Sequence, residues 1–264
     1  MSRSVRRLAP LVGLLAAAAI IAGACGAGAP ALTDPKKIVL AAVRASQTAK
    51  SVHVDAKLDG SVTVDLTGAG GNGTPIALTG TTASADLDIT GGNGHATFTV
   101  PAFLGLTGDL IQVGNTSYVK TSLTGDQYTV QNIADSLPVN PTDTKSLIDN
   151  VSELLSRPGV DPVKGDDVAC GSAQCYTVKI ELTPAELSAL GAGGPAASSL
   201  PIDLGTTDLS LTIRVEKDNS RLAGIAATVD MGDHGSLTFD LALSKWDEPV
   251  TISAPPQDQI KAAS

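Results

Sequence analysis

The strongest constraint in this sequence is a two-residue alternation of apolar and polar side chains. Its longest run covers residues 51–66, where, Gly60 apart, apolar residues hold the even positions and polar residues hold the odd ones. Successive side chains of a β-strand point to opposite faces of the sheet. The run therefore predicts a long strand, or two strands bent at Gly60, with one apolar face and one solvated face.

The same alternation returns five more times along the chain. The runs cover residues 83–89, 176–182, 209–216, 225–229 and 237–243. Segments rich in glycine, asparagine and aspartate lie between them, at 70–73, 91–94, 217–220 and 232–235. Parallel strands are usually apolar on both faces, so the pattern predicts one large antiparallel sheet of about nine or ten strands.

Three amphipathic helices are predicted as well. The first begins at Thr33 or Asp34, ahead of Pro35. The second begins at about residue 143 and carries an apolar stripe of Leu147, Ile148, Val151, Leu154 and Leu155. The third opens with a capping box from Thr183 to Glu186. A sheet with one apolar face has to cover it, so we expect these helices to lie across that face.

The N-terminal residues read as an export signal. Three arginines precede an uncharged apolar segment at residues 11–21, which is shorter than the roughly 20 residues needed to span a bilayer. Small residues at 22–24 then lead to Cys25. A cysteine at the cleavage site is typical of a bacterial lipoprotein, whose thiol receives a diacylglycerol. The alternative is ordinary secretion, because Ala22-Gly23-Ala24 also fits an A-x-A cleavage site.

Charge excludes some classes of partner. Loss of residues 1–24 removes three arginines and no acidic residue, which takes the net charge from −9 to −12. Such a chain repels phosphate backbones, and no basic segment offsets the repulsion, so nucleic acid is not an expected partner.

The remaining cysteines, Cys170 and Cys175, form an isolated close pair. Outside the membrane such a pair is most simply a disulfide, and Gly171-Ser172 between them suits a hairpin loop. The spacing does not match a redox C-x-x-C, and a metal site would need further ligands.

No catalytic or metal motif is evident. His53, His95 and His234 stand on solvated strand positions or beside turns, without a paired ligand spacing, and we expect them to be exposed bystanders. No nucleophile elbow is present. The sequence therefore predicts neither an enzyme nor a metal or cofactor. An ester hydrolase would need a serine and a histidine brought together by the fold.

The apolar face leaves two readings open. Aromatic residues make up only 3% of the chain, so mainly small and aliphatic side chains would have to fill the space between sheet and helices. Native cores pack near a density of about 0.74. Either the layers collapse tightly, or an apolar cavity remains for a guest molecule.

The order of these features resembles the actinobacterial LppX/LprA/LprF/LprG lipoproteins. The resemblance rests on the lipobox-type signal, the helix, the long alternating strands, "TSYVK" at residues 116–120, the helix from about 143 and "VTISAP" at residues 250–255. It covers about residues 32–256. It implies an α+β fold, namely a U-shaped antiparallel half-barrel with short helices closing an apolar cavity on its concave face. In this family the cavity holds acyl chains of envelope lipids or lipoglycans.

The resemblance implies the following organisation and function. Residues 1–24 form a lipoprotein signal, 25–32 a tether, 33–256 one lipid-binding domain and 257–264 a tail. The protein then carries or presents lipid as a monomer on the outer face of the cytoplasmic membrane, anchored through Cys25, with the cell envelope or secretion as the alternative location. Its partners are the acyl chains of its cargo, the membrane and an unidentified membrane transporter. The rival reading is a structural or adhesive surface lipoprotein with a filled core. The expected cavity lining is Val52, Val54, Ala56, Leu58, Val62, Val64, Leu87, Ile89, Leu147, Val151, Leu154, Leu209, Leu211, Ile213, Val229, Phe239 and Leu241.

Overall fold

The alternating segments fold into an open antiparallel sheet. The structure is a computed structural model that describes residues 32–64, 73–132, 155–189 and 206–261. Its thirteen strands are β1 (Ser51–Val64), β2 (Thr74–Ala77), β3 (Thr81–Asp88), β4 (Asn93–Val100), β5 (Leu106–Val113), β6 (Thr116–Thr121), β7 (Thr129–Asn132), β8 (Val163–Lys164), β9 (Val168–Cys170), β10 (Ala173–Leu182), β11 (Asp208–Glu216), β12 (Leu222–Asp230) and β13 (Gly235–Ser244).

The strands follow one path across the sheet. Their order is β7-β6-β5-β4-β3-β1-β13-β12-β11-β10-β8, with β2 paired to β1 and β9 paired to β10. The first and last strands of this path do not pair with each other, so the sheet is not closed. All strand pairs are antiparallel, as the alternation predicts.

The sequence underestimated the number of strands because β2, β7, β8 and β9 are only two to four residues long. A strand that short spans at most two periods of alternation, which is too few to detect from the sequence, and its backbone hydrogen-bond partners come from a longer neighbour. Such short strands at an edge also limit pairing with other chains.

The first strand is continuous and not a pair of strands. β1 runs through Gly60, where the backbone takes a φ of 111°. A β-carbon at this position would lie 2.1 Å from the carbonyl oxygen of Ser236 on the neighbouring strand. Glycine is therefore required for the close approach of β1 and β13 and for the positive φ.

Two α-helices lie within the part of the chain that the structure describes, and each adjoins a strand of the sheet. α1 (Pro35–Gln47) begins as expected, with the Asp34 side chain accepting hydrogen bonds from the backbone N–H groups of Lys36 and Lys37. α2 (Pro184–Ala189) is opened by the expected capping box: the Thr183 N–H donates to the Glu186 carboxylate at 2.7 Å. Most of the helix expected from about residue 143 lies outside the described residues; of it, only Leu155 and Ser156 are described, and both are helical.

The best-packed part of the molecule lies where these helices meet β10 and β11. α1 packs against β10, β11 and β12, and α2 packs against β10 and β11. The buried residues here include Ile38, Val39, Ala42, Leu155, Val178, Ile180, Leu187 and Val215. Lys179 and Glu181, on the opposite face of β10, remain exposed. The helices therefore cover the apolar face on the β10 side of the sheet.

The cysteine pair closes a hairpin beside this core. Cys170 ends β9, β10 begins at Ala173, and a disulfide joins Cys170 to Cys175 across a Cα–Cα distance of 5.9 Å. The predicted pairing is confirmed. The covalent bond fixes the turn at Gly171 and Ser172 that connects the two strands.

The C-terminal segment returns to the opposite edge of the sheet. The Tyr128 N–H donates to the Gln259 carbonyl, and the Lys261 N–H donates to the Tyr128 carbonyl, both at 2.8 Å. Residues 257–261, assigned to a tail by the sequence, thus make ordered contacts just before β7. Tyr128 is buried beneath the Nζ of Lys120, which lies 4.6 Å from the ring centroid.

Candidate functional site

The register of the sheet brings the predicted apolar positions onto one continuous surface, which we call the apolar face. Residues directly opposite in an antiparallel pair point to the same side. One cross-strand row consists of Ile180, Leu211, Ala227, Phe239 and Leu58. The next row consists of Val178, Ile213, Ile225, Leu241, Ala56, Ala83 and Phe98. The apolar face therefore extends from β10 to β4 without a charged side chain in either row.

Burial falls along these rows. On β10, Ile180 is 2% exposed, whereas Phe239 on β13 is 37% exposed. The intervening Leu211 and the side chains of Ile213 and Leu241 are half-buried. The described helices thus bury the apolar face at β10 but leave these two rows half-buried or exposed from β11 to β13.

The predicted lining residues lie as follows. Val52 is buried, at 4% exposure. Ten are half-buried: Val54, Ala56, Leu58, Val62, Leu87, Ile89, Leu209, Leu211, Ile213 and Val229. Leu241 is half-buried too. The side chain of Val64 and the residues Leu147, Val151 and Leu154 lie outside the described part of the chain, so the lining as a whole stays a prediction.

The solvated face carries a histidine cluster that the sequence analysis misjudged. His53 is not an exposed bystander: its side chain is 16% exposed, and its Nδ1 lies 2.7 Å from Asp86 Oδ1. Its Nε2 lies 3.4 Å from Asp55 Oδ2 and 3.5 Å from Ser84 Oγ. The alternation predicted the correct face, but the pairing of β1 with β3 placed carboxylates beside the ring.

His95 is likewise paired, with its Nε2 3.2 Å from Asp109 Oδ1 on the adjacent strand. His234 is exposed, as expected. Cross-strand pairs of this kind link neighbouring strands at the polar surface, where each contributes on the order of 0.2–1 kcal/mol. Both histidine contacts therefore have a structural explanation.

Ser84, His53 and Asp86 contain the side chains of a hydrolytic triad, but their surroundings do not suit one. The histidine Nε2 has the carboxylate of Asp55 as a competing partner, at a distance similar to that of the serine. All three residues lie within paired strands, where backbone N–H groups are used by the sheet ladder and cannot bind an oxyanion. The geometry of this cluster does not support nucleophilic catalysis.

An open groove lies over the same polar face. It has a volume of about 440 Å³, and its lining includes Asp55, Lys57, Ser84 and Asp240. Charged walls of this kind would not accept an acyl chain. The groove therefore differs from the apolar face in the charge of its lining, although Ala56, Ala83 and Phe98 contribute to both.

The described residues contain no helix with the length and hydrophobicity that a bilayer span requires. Within the same ranges, no three histidine, cysteine, aspartate or glutamate side chains converge as ligands for a metal ion.

The sequence analysis missed a set of exposed apolar residues at two turns. Phe103 and Leu104 lie in the β4–β5 turn and are 50% and 99% exposed, and Leu123 lies after β6 and is 73% exposed. The available signal was "PAFLGL", an apolar segment bounded by proline and glycine, where a turn is normally polar.

Comparison with known proteins identifies the fold. No family model matches the sequence, and no curated protein matches it either. Among solved structures, LprF from Mycobacterium bovis matches with 19% identity and a TM-score of 0.52, covering 85% of this chain and 98% of that one. The Mycobacterium tuberculosis lipoprotein LppX matches with 19% identity and a TM-score of 0.51, covering 83% and 98%. The chain therefore shares the fold of these two proteins, and the resemblance inferred from the sequence is confirmed at that level.

Proposed function

We propose that this protein is a membrane-anchored lipoprotein of the LppX/LprF kind that binds acyl chains of envelope lipids or lipoglycans and carries or presents them. The half-buried apolar face is the observation that supports it most directly. Phe239, Leu211 and Leu241 would be expected to pack fully if the sheet belonged to an ordinary filled core. The half-barrel curvature of the sheet, the helices that would close its concave face and the cavity between them are part of the same proposal.

Hydrophobic burial would supply the binding energy. Each buried CH₂ group contributes about 0.8 kcal/mol, so a guest with two long acyl chains binds tightly without polar contacts. The rows of alanine, valine, leucine and isoleucine across β11, β12 and β13 offer such a surface. The scarcity of aromatic residues leaves room above it.

The proposed anchor accounts for the N-terminal sequence. Acylated Cys25 would hold the protein on the outer face of the cytoplasmic membrane, with residues 25–32 as a tether. We expect Cys25→Ser to abolish both membrane fractionation and the acyl mass of the N-terminal peptide. Membrane association that persists in this variant would contradict the anchor.

The cavity is tested by adding bulk to the apolar face. Leu211→Trp and Val54→Trp should displace co-purified lipid, measured by mass spectrometry, while leaving the melting temperature nearly unchanged. In a filled core the same substitutions overpack and cost about 1–3 kcal/mol. A lowered melting temperature, with no lipid in the wild-type protein, would favour the structural or adhesive reading.

Matched controls come from the opposite face of the same strands. Thr212 adjoins Leu211, and Asp55 adjoins Val54, but both point to the solvated side of the sheet. Thr212→Trp and Asp55→Trp should therefore retain the lipid. Equal loss of lipid from both pairs would show that the tryptophan acts through general destabilisation.

A further inference from the structure

Phe103, Leu104 and Leu123 form one apolar tip at an end of the sheet. The Ser122 N–H donates to the Thr107 carbonyl at 2.9 Å, and the Thr107 N–H donates to the Ser122 Oγ at 3.2 Å. These bonds hold the β4–β5 turn and the turn after β6 side by side. All three side chains lie just beyond them.

The tip is an ordered turn. The Phe103 N–H bonds to the Val100 carbonyl, the Gly105 N–H to the Pro101 carbonyl and the Leu106 N–H to the Phe103 carbonyl, at 3.0–3.2 Å. The backbone therefore defines where Leu104 is presented.

The choice of leucine at position 104 is not explained by folding. Its φ is 56°, in the left-handed region that favours glycine, asparagine and aspartate. The side chain gains no burial within the chain in exchange, because it is almost fully exposed. A leucine that is unfavourable for the backbone and unpacked in the fold is consistent with a contact outside the protein.

Charge points to the kind of contact. Residues 99–108 and 121–125 contain no charged side chain, although the whole chain carries a net charge of −9. An acidic surface is repelled by anionic headgroups, so an uncharged apolar tip is the part of this molecule best suited to enter a bilayer.

The position of the chain start agrees with that orientation. The Lys36 Nζ at the start of α1 donates to the Leu155 carbonyl at 2.7 Å, and Gly159 adjoins Glu186 of α2, just after β10 ends. The cross-strand pairs can be followed from the end of β10 to β5. They show that the starts of β11, β13, β3 and β5 and the ends of β12 and β4 lie on the same side of the sheet as the end of β10. The described chain thus begins at the same end of the sheet as the tip.

We infer that the tip formed by Phe103, Leu104 and Leu123 inserts into the lipid bilayer and holds this end of the sheet against the membrane from which cargo is taken or to which it is delivered. The use of insertion for cargo transfer rests on the proposed function. Insertion itself can be measured without any cargo.

The first experiment places a fluorophore on the tip of the full-length lipidated protein. In Leu104→Cys the introduced thiol is available for an environment-sensitive NBD label, since Cys25 is acylated and the other cysteines are paired. In phosphatidylcholine vesicles containing doxyl-labelled lipid, we expect a blue shift and at least about twofold quenching. Val163→Cys, on an apolar side chain that is 62% exposed on β8, is the matched control and should show neither.

Equal emission from the two labelled proteins would overturn the inference. A blue shift at position 104 that grows with protein concentration in the absence of vesicles would also overturn it, in favour of self-association. Lipid in the purified protein is assayed separately by mass spectrometry, so failure of the proposed function and failure of insertion give different results.

The second experiment removes the anchor. A Cys25→Ser protein exported by its host should co-sediment weakly with phosphatidylcholine vesicles. Adding Phe103→Ser, Leu104→Ser and Leu123→Ser should lower that binding at least about tenfold. A tenfold loss corresponds to the burial of about one leucine side chain. Val130→Ser with Val163→Ser is the control. Unchanged binding in the tip variant, at an unchanged melting temperature, would overturn insertion.

Discussion

The two ends of the apolar face differ in what covers them, although the sequence alternates in the same way along both. At β10 and β11, α1 and α2 lie over the sheet, and Val178, Ile180 and Val215 are almost fully buried. In the same cross-strand rows, Leu211 and Ile213 on β11 and the positions from β12 across β13 and β1 to β3 are half-buried, except Phe239, which is exposed. Alternation therefore determines which side chains share a face but not what packs against them.

This difference in coverage assigns folding to one part of the apolar face and the proposed function to the other. The covered end contains the disulfide, the capping box and the helix caps, so the interactions that fix the fold are concentrated there. Among the described residues, the half-buried part contains neither the disulfide nor a helix cap. In the proposed carrier, the covered end would keep the sheet folded while the other part exchanges its guest.

The largest expected effect comes from truncating a side chain in each part. Ile180→Ala should lower the free energy of unfolding by about 2–5 kcal/mol, because the covered core cannot relax into the space left behind. Leu241→Ala should cost about 1 kcal/mol, because its side chain is only half-buried. Urea unfolding of the lipid-free proteins measures both. Equal costs would show that the apolar face is packed uniformly.

Reduction of the disulfide should cause the next largest loss in the free energy of unfolding. The loss should come only from the covered end of the apolar face, where the disulfide lies. Closing a loop of about six residues contributes about 2 kcal/mol in the chain-entropy estimate. We expect reductant to lower the urea midpoint, and intact mass to show oxidised Cys170 and Cys175 in exported protein. The Cys170→Ser, Cys175→Ser double variant should not respond to reductant. Free thiols in protein exported by its native host would contradict the prediction.

A smaller loss of stability is expected at low pH. It comes from Asp247, which lies at the strand ends opposite the tip. The Arg221 guanidinium and then the Lys50 backbone N–H hold the pKa of Asp247 below its usual value of 3.8. The unfolded chain therefore takes up this proton first, and the contribution of Asp247 is present above about pH 4 and lost as the pH falls through the folded-state pKa.

Asp247→Asn should flatten the decline of stability below about pH 4 and leave lipid binding unchanged, because the contact lies outside the apolar face. Unfolding midpoints between pH 2 and pH 7 measure the effect. Asp218→Asn, on an exposed turn, is the control. An identical pH profile in the two variants would remove Asp247 from the account of acid stability.

Residues 51–66 show how much of the fold was readable from the sequence. Their alternation of apolar and polar residues predicted a long strand with Val54, Ala56 and Leu58 on one face, and β1 has that form. The caps at Asp34 and Thr183 and the cysteine hairpin were also predicted correctly, because each depends on residues only two to five positions apart. Periodicity and short-range hydrogen bonds are local properties, so a single sequence contains them.

His53 and Leu104 show what the sequence could not supply. Pairing of β1 with β3 brings Asp86 and Ser84, which are more than thirty residues away, against the imidazole of His53. The exposure of Leu104 depends on a turn that none of the described segments covers.

The sequence by itself determined the long strands, their apolar side, the starts of α1 and α2 and the disulfide, since each follows from spacing along the chain. The tertiary structure decided the order of the strands, the continuity of the apolar face and the burial of one end but not the other. Those properties arise from contacts between distant segments, whose register and coverage no local pattern specifies.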